Sequence, residues 1–304
     1  MTLPGVKQTI KDGGLGLASP DASQVHVAIG VCSGGDANVL KLYTDPDKLK
    51  SENGHGPLID KCVYHLQAAG GIVGLMKVTA SVAGVAGSVT PTRAAPGDST
   101  GTVSVAGAPY DGYEVKVEIT ATGTVGTGAF KYTLDGGDNY SPEIAIPGAG
   151  TYAIPNTGLT LTFTAGAGPV YFRLGDVFAF NCTAPGYSSS DLNTALDALR
   201  TTHATAKFRL IHIVGAAANV AGAATIAAAV DVKMTAEENA FRYTYAYVEC
   251  PEDSDANIIA AFANFVSARV VVGAGTCELV ANGRQMKRNA VWPALARRRS
   301  RRRC

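Results

Sequence analysis

Hydrophobic residues at the two ends of this chain follow the pattern of alternating strands and helices. Nearly continuous apolar runs at Val25–Cys32 and Ile72–Val78 predict buried strands, because a strand covered on both faces carries few polar side chains. Between them, apolar residues recur at helical spacing and predict a helix near Leu58–Ala69, stopped by Gly70-Gly71. The stretch Ser33–Gly56 is polar and rich in turn residues.

The pattern changes to a period of two between about Ser88 and Pro185, in a segment rich in Gly, Thr and Val. Apolar and charged residues alternate strictly in Tyr113–Ile119, which is typical of a half-buried strand. Further strands are predicted at Thr102–Val105, Ala129–Leu134, Ile144–Ile146, Gly150–Ile154, Leu159–Phe163 and Val177–Asn181. Short strands separated by turn residues predict a small sandwich or barrel.

The alternation of helices and strands resumes after this segment. Ser188–Ser190 and Asp191 offer capping oxygens to a helix whose apolar stripe contains Leu192, Ala195, Leu196 and Leu199. Later strands are predicted at Phe208–Gly215, Phe241–Cys250, Val270–Val272 and Cys277–Val280, and later helices at Val220–Ala240 and Ile258–Val266. This order predicts a mostly parallel or mixed sheet with helices on its faces.

The predicted fold class is therefore an α/β core interrupted by an all-β insertion domain, with an extended N-terminal arm. We divide the chain into the arm (1–20), a core in two parts (21–87 and 188–296), the inserted β domain (88–187) and an Arg-rich tail (297–304). The arm is too short to bury a face of its own, and the tail is predicted to be disordered.

Charge is low, at 17% of 304 residues, and the formal net charge of +1 hides an uneven distribution. Six arginines lie within residues 297–304, so the rest of the chain has 20 Lys and Arg against 25 Asp and Glu, a net charge of −5. An acidic body has no general attraction for nucleic acid or an anionic membrane. The longest apolar stretch, Val214–Val232, is predicted to be a buried or amphipathic helix rather than a membrane span.

The six cysteines lie singly along the chain, without the spacing of a zinc site. The N-terminus lacks the pattern of a secretory signal, so we expect free thiols in a reducing cytoplasm. Gly30-Val31-Cys32-Ser33-Gly34 fits a G-x-C-x-G nucleophile elbow after a strand. Such an elbow needs a late histidine and an immediate helix, yet the last histidine is His212 and a turn-rich run follows Cys32. A buried thiol at a strand end is therefore favoured over a Cys32-dependent hydrolase.

Other candidate sites also have simpler structural interpretations. Leu134–Ser141 resembles a loose calcium loop but lacks the EF-hand spacing, so a hairpin turn is favoured. His203 and His212 are predicted to be structural or solvated rather than metal ligands. Phe241, Tyr243, Tyr245 and Tyr247 share one face of a predicted strand, which is typical of a core or a partner surface. We predict no catalytic, cofactor or metal site.

Taken together, these segments resemble the bacteriophage contractile-tail sheath subunits. The matching N-terminal motifs are Leu3-Pro4-Gly5-Val6, Lys11-Asp12-Gly13-Gly14-Leu15-Gly16 and the strand Val25–Gly30. Within the insert, Tyr113–Asp176 is similar to the family's β domain through Gly128-Ala129-Phe130-Lys131-Tyr132, Leu134-Asp135-Gly136-Gly137, Pro155-Asn156-Thr157-Gly158-Leu159-Thr160 and Gly175-Asp176. The C-terminus departs from the family, because RRRSRRRC stands where such subunits usually continue into another structured stretch.

The resemblance implies a non-enzymatic structural subunit that assembles into rings around a tail tube and contracts to drive penetration of the host envelope. The implied partners are other copies of the chain, the tail tube protein, and baseplate and tail-terminator proteins, with no membrane or specific nucleic acid. The implied location is the virion tail, assembled in the host cytoplasm. Val6, Ile10, Lys11 and Asp12 would belong to an arm that adds a strand to a neighbour's sheet. The alternative is a virion surface module that uses the β insert to bind glycan or receptor.

Overall fold

The computed structural model describes residues 25–94, 99–167, 171–202, 208–215 and 217–300. The predicted arm residues Val6, Ile10, Lys11 and Asp12 lie outside the described residues, as does His203. The described chain is a mixed α/β protein with several sheets. None of its described helices combines the length and apolar character needed to cross a bilayer.

The elements follow one another in three blocks. The first contains β1 (His26–Gly30), β2 (Leu40–Tyr43), α1 (Pro46–Asn53), α2 (Pro57–Ala69) and β3 (Val73–Lys77). The second contains β4 (Val85–Ala86), β5 (Thr90–Thr92), β6 (Thr102–Gly107), β7 (Glu114–Ala121), β8 (Ala129–Thr133), β9 (Ile144–Ala145), β10 (Thr151–Ile154), β11 (Leu159–Thr164) and β12 (Val177–Thr183). The third contains α3 (Ser189–Thr202), β13 (Leu210–Ile213), α4 (Val220–Asn239), β14 (Tyr245–Glu249), α5 (Asp255–Phe262), β15 (Val270–Gly273), β16 (Thr276–Ala281), β17 (Arg284–Asn289) and α6 (Val291–Ser300).

The first and third blocks build one six-stranded sheet in the order β15-β14-β13-β1-β3-β2. All neighbouring pairs are parallel except β2 with β3, so the predicted mostly parallel sheet is confirmed. Both faces of β1 are covered. Val27 and Ile29 pack in a cluster with α3 and α4, whereas Ala28 packs in a second cluster with α2 and Trp292. Burial on both faces explains the continuous apolar run at this strand.

The second block folds around its own apolar cluster. One sheet has the order β10-β11-β6 and the other has the order β4-β12-β7-β8-β9, with β5 paired to β12. Both sheets contribute to a core that includes the fully buried Val117, Phe130 and Leu161. Along β7, Val115, Val117 and Ile119 point into this core, as the alternation predicts.

The segments by which the chain enters and leaves the second block lie side by side. Val85 and Ala86 of β4 pair with Thr183 and Cys182 at the end of β12. Just outside this pair, the backbone N–H groups of Ser81 and Val82 both donate to Gly186 O, at 3.1 Å. The second block is therefore an insertion anchored at adjacent strands, while the exact domain bounds stay a prediction.

Several segments differ from the sequence-based expectations. The polar stretch 33–56 contains β2 and α1, and the hairpin β16–β17 continues into α6. The predicted strand Phe241–Cys250 begins only at Tyr245, because α4 ends at Asn239 and Phe241 turns the chain with a φ of 59°. Helix α6 includes residues 297–300, the first four residues of the tail that we predict to be disordered.

Candidate functional site

A buried cluster of four charges connects the insert to the core. Asp60 lies on α2, Asp111 lies in the loop before β7, and Arg284 and Arg288 lie on β17. Both guanidinium groups form ion pairs with Asp111, and their Nη2 atoms lie 3.2 and 3.4 Å from Asp60 Oδ2. The exposed fraction of each of these side chains is between 1% and 15%. We call this cluster the charged joint.

Further contacts fix the geometry of the charged joint. Arg284 donates to Gly112 O at 3.1 Å and stacks 4.8 Å from the ring centre of Tyr113, so it contacts the two residues that precede β7. Asn282 donates through its side-chain amide to Asp60 Oδ1 at 2.5 Å. The hairpin β16–β17 thus contacts both the insert and α2, and it holds the insert against α2.

The two carboxyl groups of the charged joint titrate differently. Burial and the neighbouring charge of Asp111 raise the pKa of Asp60 to about 6. Burial also opposes ionisation of Asp111, but its closer pairing with Arg288 and Arg284 holds the pKa of that carboxyl below its usual value. Two carboxylates share two guanidinium groups, and the carboxyl group that makes the shorter contacts has the lower pKa.

A second buried cluster joins β13, β14 and α6. Glu249 accepts the indole N–H of Trp292 at 2.6 Å and the backbone N–H of Gly215 at 3.1 Å, and its Oε1 lies 2.9 Å from His212 Nε2. His26 stacks on His65 with ring centres 4.6 Å apart. Burial lowers the pKa of His212 although Glu249 opposes that shift. Both carboxylate oxygens of Glu249 accept donors from the protein, which is a structural arrangement.

Lys61 lies beside this cluster with its side chain fully buried. Its ammonium group donates to Trp292 O at 3.2 Å and lies 5.7 Å from the indole ring and 5.9 Å from that of Tyr64. Burial lowers the pKa of Lys61 to about 8. The contact connects α2 to α6, so a buried charge fastens the C-terminal helix to the core.

The geometry around Cys32 does not support a nucleophile elbow. The thiol is buried and donates to Gly34 O at 3.4 Å, and burial raises its pKa to about 11. A nucleophilic cysteine needs the opposite shift. His212, the late histidine of the sequence, is buried against Glu249. The structure therefore favours the interpretation of Cys32 as a buried thiol at the end of β1.

The calcium-like loop is organised by its own hydrogen bonds. Asp135 Oδ1 accepts the Thr133 hydroxyl at 2.5 Å and the backbone N–H groups of Asp138 and Asn139, and Oδ2 accepts the Asn139 amide at 2.8 Å. Burial opposes ionisation of Asp135, but these hydrogen bonds lower the pKa of its carboxyl group to about 2. The carboxylate closes the turn after β8, as the hairpin interpretation expects. Across the described ranges, no group of three or more His, Cys, Asp or Glu side chains could hold a metal ion.

The aromatic side chains are distributed unevenly between the insert and the core. In the insert, the aromatic core consists of Tyr113, Phe130, Phe163, Phe172, Phe178 and Phe180. A glycan binder commonly presents such rings outward, so this inward packing weakens the alternative function. On the core, Phe241, Tyr243 and Tyr245 are exposed by 83%, 52% and 43%, and Arg269 stacks on both tyrosines. Only Tyr245 and Tyr247 lie on β14, so the predicted strand face of four aromatic residues is not formed, and the exposure of Phe241, Tyr243 and Tyr245 excludes a core role for these three rings.

A cavity of about 730 Å³ lies where the carboxyl ends of β13 and β14 meet the insert. Its lining includes Pro185, Val214, Glu249 and Trp292. Open α/β sheets often bind ligands at this edge. Here Glu249 is occupied by Trp292, His212 and Gly215, so the lining carboxylate serves to hold α6 in place.

Comparisons with known proteins give a family model and solved structures of low similarity. The sheath tail protein from Desulfitobacterium hafniense is 13% identical, with a TM-score of 0.38 over 96% of this chain and 60% of that chain. The sheath tail protein Lin1278 from Listeria innocua is 10% identical, with a TM-score of 0.37 over 90% of this chain and 55% of that chain. The chain thus spans little more than half the length of these proteins. Curated proteins yield no match. Residues 3–297 match the family model described as DUF2586, N-terminal domain, and the chain belongs to this family.

Proposed function

We propose that this protein is a structural, non-enzymatic subunit of a phage or phage-like contractile tail sheath. Copies of the chain assemble into stacked rings around a tail tube, and contraction of the rings drives penetration of the host envelope. The other partners are the tube protein and the baseplate and tail-terminator proteins. The assembled product belongs to the virion tail and is built in the host cytoplasm.

The observation that carries this proposal is the anchored insertion. The β insert has its own core, leaves the α/β sheet after β3 and returns before α3 through the paired strands β4 and β12. The charged joint then ties the insert to α2 through Arg284 and Arg288. A subunit built in this way can move as one rigid body, which is how packed assemblies switch between two arrangements.

Strand exchange through the N-terminal arm is part of the same proposal. Val6 and Ile10 lie in a short polar segment that precedes Gly13-Gly14, and pairing with a neighbour's sheet edge would satisfy its backbone groups. Deletion of residues 2–14 is expected to leave a folded protein that forms no long polymers. Assembly equal to that of the intact chain would contradict strand exchange.

Negative-stain electron microscopy tests the function directly. The full chain is purified alone and after co-expression with a tail tube subunit. We expect rings or tubes whose length follows that of the tube, and a higher yield with the tube than without it. A protein that stays monomeric at every concentration and never associates with a tube would contradict the proposal.

A further inference from the structure

Helix α5 packs one face on the core and leaves a large apolar side chain exposed on the other. Ile258, Ala261 and Phe262 are half-buried against Val220, Ala223 and Cys250. Ile259 is exposed by 70%, and Val266, just beyond the helix, is exposed by 88%. Large apolar side chains that are exposed next to one another on a folded protein are typical of a contact with another molecule.

Within the described residues, no strand pairs with the outer side of the strand that follows this helix. β15 is the last strand of the six-stranded sheet and pairs on one side with β14. Val271, in the middle of β15, is exposed by 45%. An unprotected edge invites pairing with another strand, and the exposed face of α5 widens the area that such a partner would cover.

The opposite edge of the same sheet has matching features. β2 is the last strand on that side, and like β15 it is four residues long. Leu42 and the neighbouring Val39 are exposed by 48% and 45%. β2 runs antiparallel to β3, whereas β15 runs parallel to the rest of the sheet. If the six-stranded sheets of two copies lie side by side with equivalent strands in the same orientation, β2 of one copy meets β15 of the other in an antiparallel pair.

Charge at the two edges is also complementary in this arrangement. Glu252, Asp253 and Asp255 lie between the carboxyl end of β14 and the first turn of α5. On the opposite side, Lys77 ends β3 and Lys41 lies on β2, where Asp36 contacts it at 3.3 Å. A common sheet direction brings the three carboxylates of one copy to the lysine side of the next, with a net attraction.

We propose that a second copy of this chain places its β2 edge against β15 and covers the exposed Ile259 of α5. The contact joins two different surfaces, so it repeats from copy to copy and builds a ring or a helical row. It deepens the proposed function, on which it rests, by naming the surfaces through which neighbouring subunits meet.

Photo-cross-linking in the full chain tests this contact. Benzoylphenylalanine replaces Val271, and ¹⁵N-labelled and unlabelled copies are mixed so that cross-links between copies are identified by mass. The matched control carries the same group at Leu174, which is exposed by 63% on the insert. We expect cross-links from position 271 to residues 36–43 of a second copy, and none to this segment from position 174. Cross-links to residues 1–24 or to another surface, or no cross-link between copies, would overturn the inference.

Lysines introduced at exposed apolar positions separate this contact from the proposed function. The double variant Ile259→Lys, Val271→Lys should raise the dissociation constant between copies at least tenfold in sedimentation velocity, while Leu174→Lys leaves it unchanged. Circular dichroism confirms that the variants are folded. Equal self-association of the double variant and the intact chain would overturn the inference. A specific cross-link between copies that never form tubes would sustain the inference and reject the sheath function.

Discussion

Replacement of Lys61 by Met tests how a buried charge fastens α6 to the core. The side chain is fully buried, and its pKa of about 8 lies well below the ordinary value of 10.5. Each pKa unit corresponds to about 1.4 kcal/mol, so burial of the charged form costs on the order of 3 kcal/mol at neutral pH. Met fills a similar volume without charge but leaves Trp292 O without its donor, a loss of about 1–3 kcal/mol. The two effects nearly offset each other at pH 7, where we expect a change between about 0 and 2 kcal/mol in favour of Met.

The pH dependence gives the sharper result. Between about pH 8 and pH 10.5 the unfolded chain keeps a proton on Lys61 that the folded chain has released. The stability of the intact protein therefore rises with pH relative to Lys61→Met, by about 3 kcal/mol in total. Burial raises the pKa of tyrosine and cysteine groups such as Tyr187 and Cys62, and because these groups are common to both proteins, most of their contribution cancels in the difference.

Urea unfolding at four pH values from 7 to 10 measures this difference. The fluorescence of Trp292, the one tryptophan in the sequence, and the far-UV circular dichroism follow unfolding together. The matched control is Lys287→Met, because Lys287 lies exposed on β17 and should give a flat difference. A difference between Lys61→Met and the intact protein that stays constant from pH 7 to pH 10 would refute the burial of a charge at this position.

Three further predictions concern the charged joint, the thiol and the arm. Arg288→Met should destabilise the protein by about 3–5 kcal/mol in urea, because it leaves Asp111 and Asp60 to share one guanidinium group, whereas Arg209→Met at an exposed position should change stability by less than about 0.5 kcal/mol. Similar losses for both variants would argue against the joint. Cys32 should react with iodoacetamide at pH 8 at least tenfold more slowly than the partly exposed Cys277, and faster labelling of Cys32 would revive the hydrolase hypothesis. Deletion of residues 2–14 should abolish long polymers without lowering the thermal midpoint.

The sequence was sufficient to predict the order of the main elements. Strands buried on both faces and amphipathic helices leave strong periodic patterns, and β1, β3, α2 and α3 appear where these patterns predict them. The apolar stripe of α3 is buried as expected, with Leu192 and Leu196 nearly inaccessible.

Shorter elements were not predicted because their local sequence signals were interpreted as turns. Asp45-Pro46-Asp47 is the start of α1, where Asp45 caps the helix by accepting the N–H of Asp47 at 2.9 Å. Asn282-Gly283 forms the two-residue turn of the β16–β17 hairpin, with φ values of 54° and 71°. This dipeptide is a strong hairpin signal and could have revealed the element that carries Arg284 and Arg288.

The charged joint itself could not be predicted from spacing. Asp60, Asp111 and Arg284 are separated by 51 and 173 positions and meet only because the insert folds back on α2. Each residue alone looks like an ordinary surface charge. Their role depends on tertiary packing, which no local pattern encodes.

In the proposed sheath, the α/β cores of successive copies build a helical wall, and we expect the β insert to project from its outer surface. The most direct measurement is electron microscopy of polymers in which a small marker protein is fused into the exposed turn at Gly148-Ala149 between β9 and β10. We expect regular rings or tubes with extra density on their outer surface, at the radius of the insert. Marker density inside the lumen, or uniformly monomeric particles from the unmarked protein under all conditions, would contradict this arrangement.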